Sequence, residues 1–237
     1  MGIVTFNGVS SKDLGIQVEH PPGYQTPVKD YDKIHVPGKN GDVIIYKGSY
    51  KNVSRTYGIA IGDLERDYTE MANSVSEWLN STNGYARLED SYEPEYYRLA
   101  IYEESMSLSN LFHHGGRATI NFNCKPQRFL KSGDNNIITS SNTSLKNPTK
   151  FVSLPIITVR GSGSAELQVG NYHVSISEIG GSVVIDSEIQ DCYAGTINKN
   201  PYVTLTNGYP KLESGVNEIS FSGDITEVEV IPKWWTL

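Results

Sequence analysis

The chain of 237 residues is 38% hydrophobic and 20% charged, a balance that suits a packed globular fold and excludes disorder. Its net charge of −7 is unevenly spread, with 14 Lys and Arg against 16 Asp and Glu in residues 1–133 and 6 against 11 in the rest. Neither part therefore offers the basic patch that phosphate-backbone binding requires. No apolar run approaches the ~18 residues that span a bilayer, and the start "MGIVTFNGVSSKDLG" lacks a signal-peptide pattern. The two cysteines, Cys124 and Cys192, form neither a disulfide framework nor a CxxC metal spacing. The expectation is a protein folded in a cytoplasm, with no membrane partner and no stable nucleic-acid binding.

In chain order, the first strand signals are "MGIVTF", "KIHVPG", "DVIIYKGSY" and "RTYGIAIG". Within "VPGKNGDVIIYKGSY", Pro37-Gly38 and the following Lys-Asn-Gly make a reversal, and Val43, Ile44, Ile45 and Tyr46 are consecutive apolar residues. A strand in a one-sided sheet alternates, so this one must be covered on both faces. Two readings stay open: a contact with a neighbouring subunit through Pro37, Gly38, Val43, Ile44, Ile45 and Tyr46, or a central strand buried within its own domain.

One helix follows. In "DLERDYTEMANSVSEWLNSTNG" the residues Leu64, Tyr68, Met71, Val75, Trp78 and Leu79 recur every three or four positions and form one apolar stripe. Asp63, Glu65 and Asp67 favour its start through the helix dipole, and Asn83-Gly84 supplies a stop. "YRLAIYEE" and "RATINFN" return to strand, with Ile120, Phe122 and Cys124 alternating onto one face, so Cys124 reads as a small buried hydrophobe. From Lys131 to Pro148, "KSGDNNIITSSNTSLKNP" has linker composition.

The second part reads as seven short strands, "PIITVRG", "AELQVG", "YHVSISE", "SVVIDSE", "YVTLTN", "NEISFSG" and "EVEVIPKW", with Gly170-Asn171 and Gly180-Gly181 as two-residue turns. The fold class is mainly β: an N-terminal β-sandwich or α+β domain with one helix (1–133), a linker (134–149) and a C-terminal antiparallel β-sandwich (150–237).

Chemistry finds little support. His113-His114 are adjacent and would point to opposite faces of a strand. Asp186 and Glu188 would share one strand face, the arrangement a glycosidase needs, though charged pairs on an open sheet face are ordinarily just solvated. "GSGS" at 161–164 lacks the lysine and the helix of a phosphate loop. "LEDSYEPEYY", with Asp90, Glu93 and Glu95 around Pro94, reads as a turn without calcium-site spacing. No catalytic residue, metal or cofactor is expected.

Taken together, "FNGVSSKDLGIQV", "VPGKNGDVIIYKGSYKN", "WLNSTNGYARLEDSYEPEYYRLAIY" and "INFNCKPQRF", in this order and spacing, resemble the distal tail protein (Dit) family of siphovirus-type bacteriophages. The second part is similar to the galectin-like sandwich that follows in that family. The resemblance implies a structural virion component at the baseplate or tail tip. That component would be a homo-hexamer or a dimer of hexamers, meeting the tail tube protein, a tail-tip hub or tail-associated protein and receptor-binding proteins. DNA would pass through the ring without stable binding, and six copies of a −7 chain would carry −42. A carbohydrate-binding tip module is the alternative, with Tyr172, Tyr193, Tyr202 and Tyr209 as candidates, and a glycan-hydrolysing tail enzyme is the third reading. In "YHVSISE", Ser175 and Ser177 stand where a galectin has Asn and Arg, and Trp234 and Trp235 lie far along the chain.

Overall fold

A computed structural model describes residues 2–62, 66–104, 106, 109–112 and 115–237, with Tyr68 and 109–112 described by backbone alone. The fold is mainly β with a single α-helix among the described residues, as expected. It divides into two compact units, residues 1–128 with Leu237 and residues 129–236.

The first unit contains strands β1 (Val4–Phe6), β2 (Val9–Ser10), β3 (Ile16–Val18), β4 (Lys29–His35), β5 (Asp42–Tyr50) and β6 (Val53–Gly62). After helix α1 (Tyr68–Leu79) come β7 (Ala86–Asp90), β8 (Tyr96–Tyr102), β9 (Ser109–Phe112) and β10 (Gly115–Cys124). The main sheet runs β2-β1-β7-β8-β10-β6-β3, with β9 added on β10. Its two ends meet, because the Gly2 N–H donates to the Val18 carbonyl at 3.3 Å. The curled sheet buries Phe6, Val18, Tyr57, Ile59, Leu88, Ile120, Phe122 and Cys124.

Helix α1 covers this core with Met71, Val75, Trp78 and Leu79, the apolar stripe of the sequence. Asp67 caps it, its carboxylate accepting the Glu70 N–H at 2.9 Å. The helix ends at Leu79 rather than at Asn83-Gly84, because Asn80 turns its own amide back to the Ser76 carbonyl at 2.8 Å and stops the ladder. Asp63, Leu64 and Glu65, expected in and before the first turn, lie outside the described residues.

The second unit begins within β11 (Arg128–Leu130) and continues with β12 (Ile137–Thr139), β13 (Thr143–Asn147), β14 (Ile156–Val169), β15 (Tyr172–Ile176), β16 (Gly181–Asp186) and β17 (Asp191–Ala194). The last elements are β18 (Ile197–Asn198), β19 (Val203–Thr206), β20 (Gly215–Ile231) and β21 (Trp235–Thr236). "PIITVRG" and "AELQVG" are one strand, β14, and "NEISFSG" and "EVEVIPKW" merge into β20. The first half of β14 pairs with β16 and the end of β20; its second half pairs with β15 and the start of β20. Each long strand therefore belongs to both layers of the sandwich, and the apolar residues of both layers share one core.

The bend that makes this possible lies at "GSGS" and Gly223, where the β14–β20 register shifts. A side chain at Gly161 would collide with the Asp224 carbonyl, and one at Gly163 with the Asp224 carboxylate. Gly223, at φ +91°, faces the Ser164 carbonyl just as closely. Those glycines serve backbone approach at a corner. Gly170-Asn171 does form a two-residue turn between β14 and β15, whereas Gly180-Gly181 does not make a hairpin: β15 and β16 both pair with β14 and not with each other.

Residues 134–149 are not a linker. β12 and β13 pair with β20, and three of the segment's polar side chains, Thr139, Ser141 and Asn147, are tied to backbone. Thr139, 6% exposed, donates its hydroxyl to the Val228 carbonyl, and Asn147, 2% exposed, donates to the Phe151 and Leu212 carbonyls. Composition alone cannot distinguish a polar side chain facing water from one satisfied inside. The C-terminal stretch stays with this unit through Trp234, which is buried in its core.

Replacing Gly223 with alanine puts a Cβ into the Ser164 carbonyl at a backbone angle that L-residues avoid. The expected cost is about 1–3 kcal/mol, read as a lower urea midpoint; an unchanged midpoint would remove the corner from this account of the sandwich.

Candidate interaction hairpin

Among the described residues β4 and β5 pair only with each other and form a separate two-stranded sheet. Tyr31 lies opposite Tyr46, Asp32 opposite Ile45, Lys33 opposite Ile44 and Ile34 opposite Val43. Pro37 and Gly38 are in the turn, where Gly38 and Gly41 both have φ +79° and the Lys39 N–H donates to the Val36 carbonyl at 3.1 Å. At the base, the Lys51 N–H closes onto the Val28 carbonyl at 2.8 Å.

Alternation divides the apolar run between two faces. Val43 and Ile45 share one face with Ile34; Ile44 and Tyr46 share the other with Tyr31, whose ring lies 5.7 Å from that of Tyr46. Ile34, Ile44, Ile45 and Tyr46 are 47%, 51%, 48% and 44% exposed. The reading of β5 as a central strand buried on both faces is thus overturned. An isolated hairpin is marginal in water, and one with apolar residues on both faces and two unpaired edges invites a partner. The apolar pattern places the start of the first strand at Lys33, whereas β4 begins at Lys29 and includes Tyr31. Alternating charges at Asp30 and Asp32 disguise the strand there.

At the foot of the hairpin, β6 carries Arg55 inward among Val53, Tyr57, Ile59 and Ile61. Its guanidinium meets the Asp90 carboxylate at 2.8 Å and the Glu93 carboxylate at 3.0 Å. Glu93 also binds Arg98 at 3.1 Å and Arg128 at 2.9 Å. Asp90 further accepts the Tyr57 hydroxyl at 2.7 Å and the N–H groups of Tyr92 and Glu93. The "LEDSYEPEYY" turn is therefore more than a surface reversal. Burial by itself would raise the Asp90 carboxyl, but hydrogen bonds from Arg55 and Tyr57 and the Arg55 charge outweigh it and hold the group below its ordinary value. The clue in the sequence is an arginine at an inward position of an apolar alternation.

The residues singled out for chemistry are occupied otherwise. Cys124 is fully buried, and burial pushes its thiol up to about 12. Cys192 is likewise buried, its thiol pushed up to about 11. Asp186 is 8% exposed at the end of β16 and accepts the backbone N–H groups of Glu188 and Ile189, so it shapes a turn and does not share a strand face with Glu188. Ser175 donates to Glu166 at 2.6 Å and Ser177 to the Tyr202 carbonyl at 3.2 Å. Of the four tyrosines, Tyr202 is the most open, at 40%, beneath the Lys199 ammonium. Trp235 stacks on Phe151 at 4.5 Å. His113 and His114 lie outside the described residues, and among the described residues no cluster of His, Cys, Asp or Glu could hold a metal.

No protein-family model and no curated protein matches the sequence. Among solved structures, the chain is similar to the SPP1 Dit (gp 19.1) protein, described as a paradigm of hub adsorption apparatus in Gram-positive infecting phages. The two share a fold at a TM-score of 0.75 and 15% identity, over 100% of each chain.

Because the Asp90 carboxyl is depressed in the fold, its contribution is present above the unfolded value of about 4 and is lost as pH falls through the folded one. Asp90→Asn leaves Arg55 with less compensation, at an expected cost of about 3 kcal/mol at pH 7. In urea titrations the gap between the two proteins should narrow below pH 4; a gap independent of pH would contradict the ionic role.

Proposed function

We propose that this chain is a structural component of a phage tail hub, assembled as a homo-oligomeric ring, with the β4–β5 hairpin making part of the contact between neighbouring subunits. The observation that carries the reading is the exposed hairpin, apolar on both faces, on a chain whose whole length has the fold of a phage hub protein. The sequence resemblance favours a hexamer that joins the tail tube to the baseplate or tip and lets DNA pass. Low basic content agrees with passage rather than retention. The role is not enzymatic on this reading: the carboxylates and thiols discussed above serve turns, ion pairs and packing. The carbohydrate-binding alternative gains nothing from the geometry, because Ser175 and Ser177 are engaged within the unit and Trp235 stacks on Phe151.

Light scattering coupled to size exclusion tests the assembly. A multimer with a mass near six chains is the expected result, and Ile44→Lys should give a folded protein of lower mass, since Ile44 is exposed and supports no core. A wild-type monomer at every concentration, alone and with tail-tube or hub partners, would remove the ring from this reading.

A further inference from the structure

The two faces of the hairpin differ in charge. On the Ile34–Val43–Ile45 face, Lys47 pairs with Asp32 at 2.7 Å and with Asp30 at 3.8 Å, and Lys51 pairs with Asp30 at 3.7 Å. Those charges compensate one another. On the Tyr31–Ile44–Tyr46 face, Lys29 lies over the Tyr46 ring at 5.3 Å, and His35 meets Asp42 at 3.5 Å. Lys33, opposite Ile44, has no ion-pair partner among the described residues. This second face is aromatic, apolar and net positive.

The first unit also carries a surface of the opposite kind. A depression of about 630 Å³ opens between α1 and the end of β8, with Ala72, Leu79, Tyr102 and Met106 as its apolar lining and Glu103 and Glu104 at its edge. Glu103 accepts the Asn123 amide at 2.7 Å, and Glu104 accepts the Asn121 amide at 2.6 Å. A neutral amide positions a carboxylate without cancelling its charge. The volume suits the ends of a few large side chains.

We infer that the Tyr31–Ile44–Tyr46 face of one copy seats in this depression on the next copy, with Lys29 and Lys33 against Glu103 and Glu104. The inference rests on the ring reading above and names the receiving surface. Apolar side chains that a lone hairpin leaves in water are covered, and uncompensated charges of opposite sign meet at the rim. Hairpin and depression are different surfaces of one chain, so the contact is heterologous, the kind that closes into rings when the rotation permits.

The test is the association constant of the full chain, from light scattering across concentrations. Lys29→Glu with Lys33→Glu, and separately Glu103→Lys with Glu104→Lys, should each weaken association by about tenfold or more. All four substitutions in one chain should restore it to within about threefold, since the charges are merely exchanged. Weakening by the hairpin changes alone, or no recovery in the combined chain, overturns the inference and leaves the ring standing. A monomeric wild type overturns both. Circular dichroism checks that each variant folds. If a reversal unfolds the chain, Lys33→Met and Glu104→Gln replace it, and losses that simply add overturn the contact.

Discussion

A buried carboxylate, Asp90, and a partly buried one, Glu93, set among three guanidinium groups hold the frame of the first unit. Asp90 and Glu93 lie in the turn between β7 and β8 and bind Arg55 on β6, Arg98 on β8 and Arg128. Asp90, Arg55 and Arg98 are withdrawn from water, a cost offset because every oxygen of both carboxylates accepts a donor. Arg55 has one side chain for two acids, and Glu93 has one carboxylate for three cations. The consequence is geometric: β6 and the β7–β8 turn are fixed against each other by directional contacts, where apolar packing alone would tolerate a slip.

The hairpin begins only a few residues from this anchor. Tyr50 ends β5, Val53 opens β6, and Arg55 is the second inward residue of that strand. The β4–β5 ribbon, two-stranded among the described residues and exposed at Ile34, Ile44, Ile45 and Tyr46, is held at its base by an element that the ion cluster keeps in place. Rigidity at the root lowers the ordering cost when a partner covers the ribbon. The curled sheet and the exposed ribbon are thus parts of one arrangement, in which the apolar surface left in water is anchored at its foot.

The second unit solves a different problem. Its two layers are joined because β14 and β20 run through both, which demands a bend in two paired strands at the same place. Gly161, Gly163 and Gly223 supply it by leaving no side chain between the backbones. Its polar strands β12 and β13 owe their place to backbone pairing with β20.

Periodicity made several features legible. The helix stripe of Met71, Val75, Trp78 and Leu79, the inward alternation of Ile120, Phe122 and Cys124, and the apolar run Val43 to Tyr46 all follow from side-chain spacing, which backbone geometry dictates locally. Order and spacing of short segments along the chain were enough to indicate the fold that the solved hub protein shares. Other features were decided only by tertiary contacts. Thr139 and Asn147 look like linker residues until β20 provides their acceptors, and "GSGS" looks like a loop until Asp224 packs against it. Glu93 looks like a surface charge until Arg55, Arg98 and Arg128 meet it. The hairpin shows the division most clearly: the residues alone require that both faces be covered, yet they cannot say by what, because burial depends on elements distant in sequence or on another molecule. Local geometry is written in spacing, whereas the partner of a polar or apolar group is a property of the folded neighbourhood.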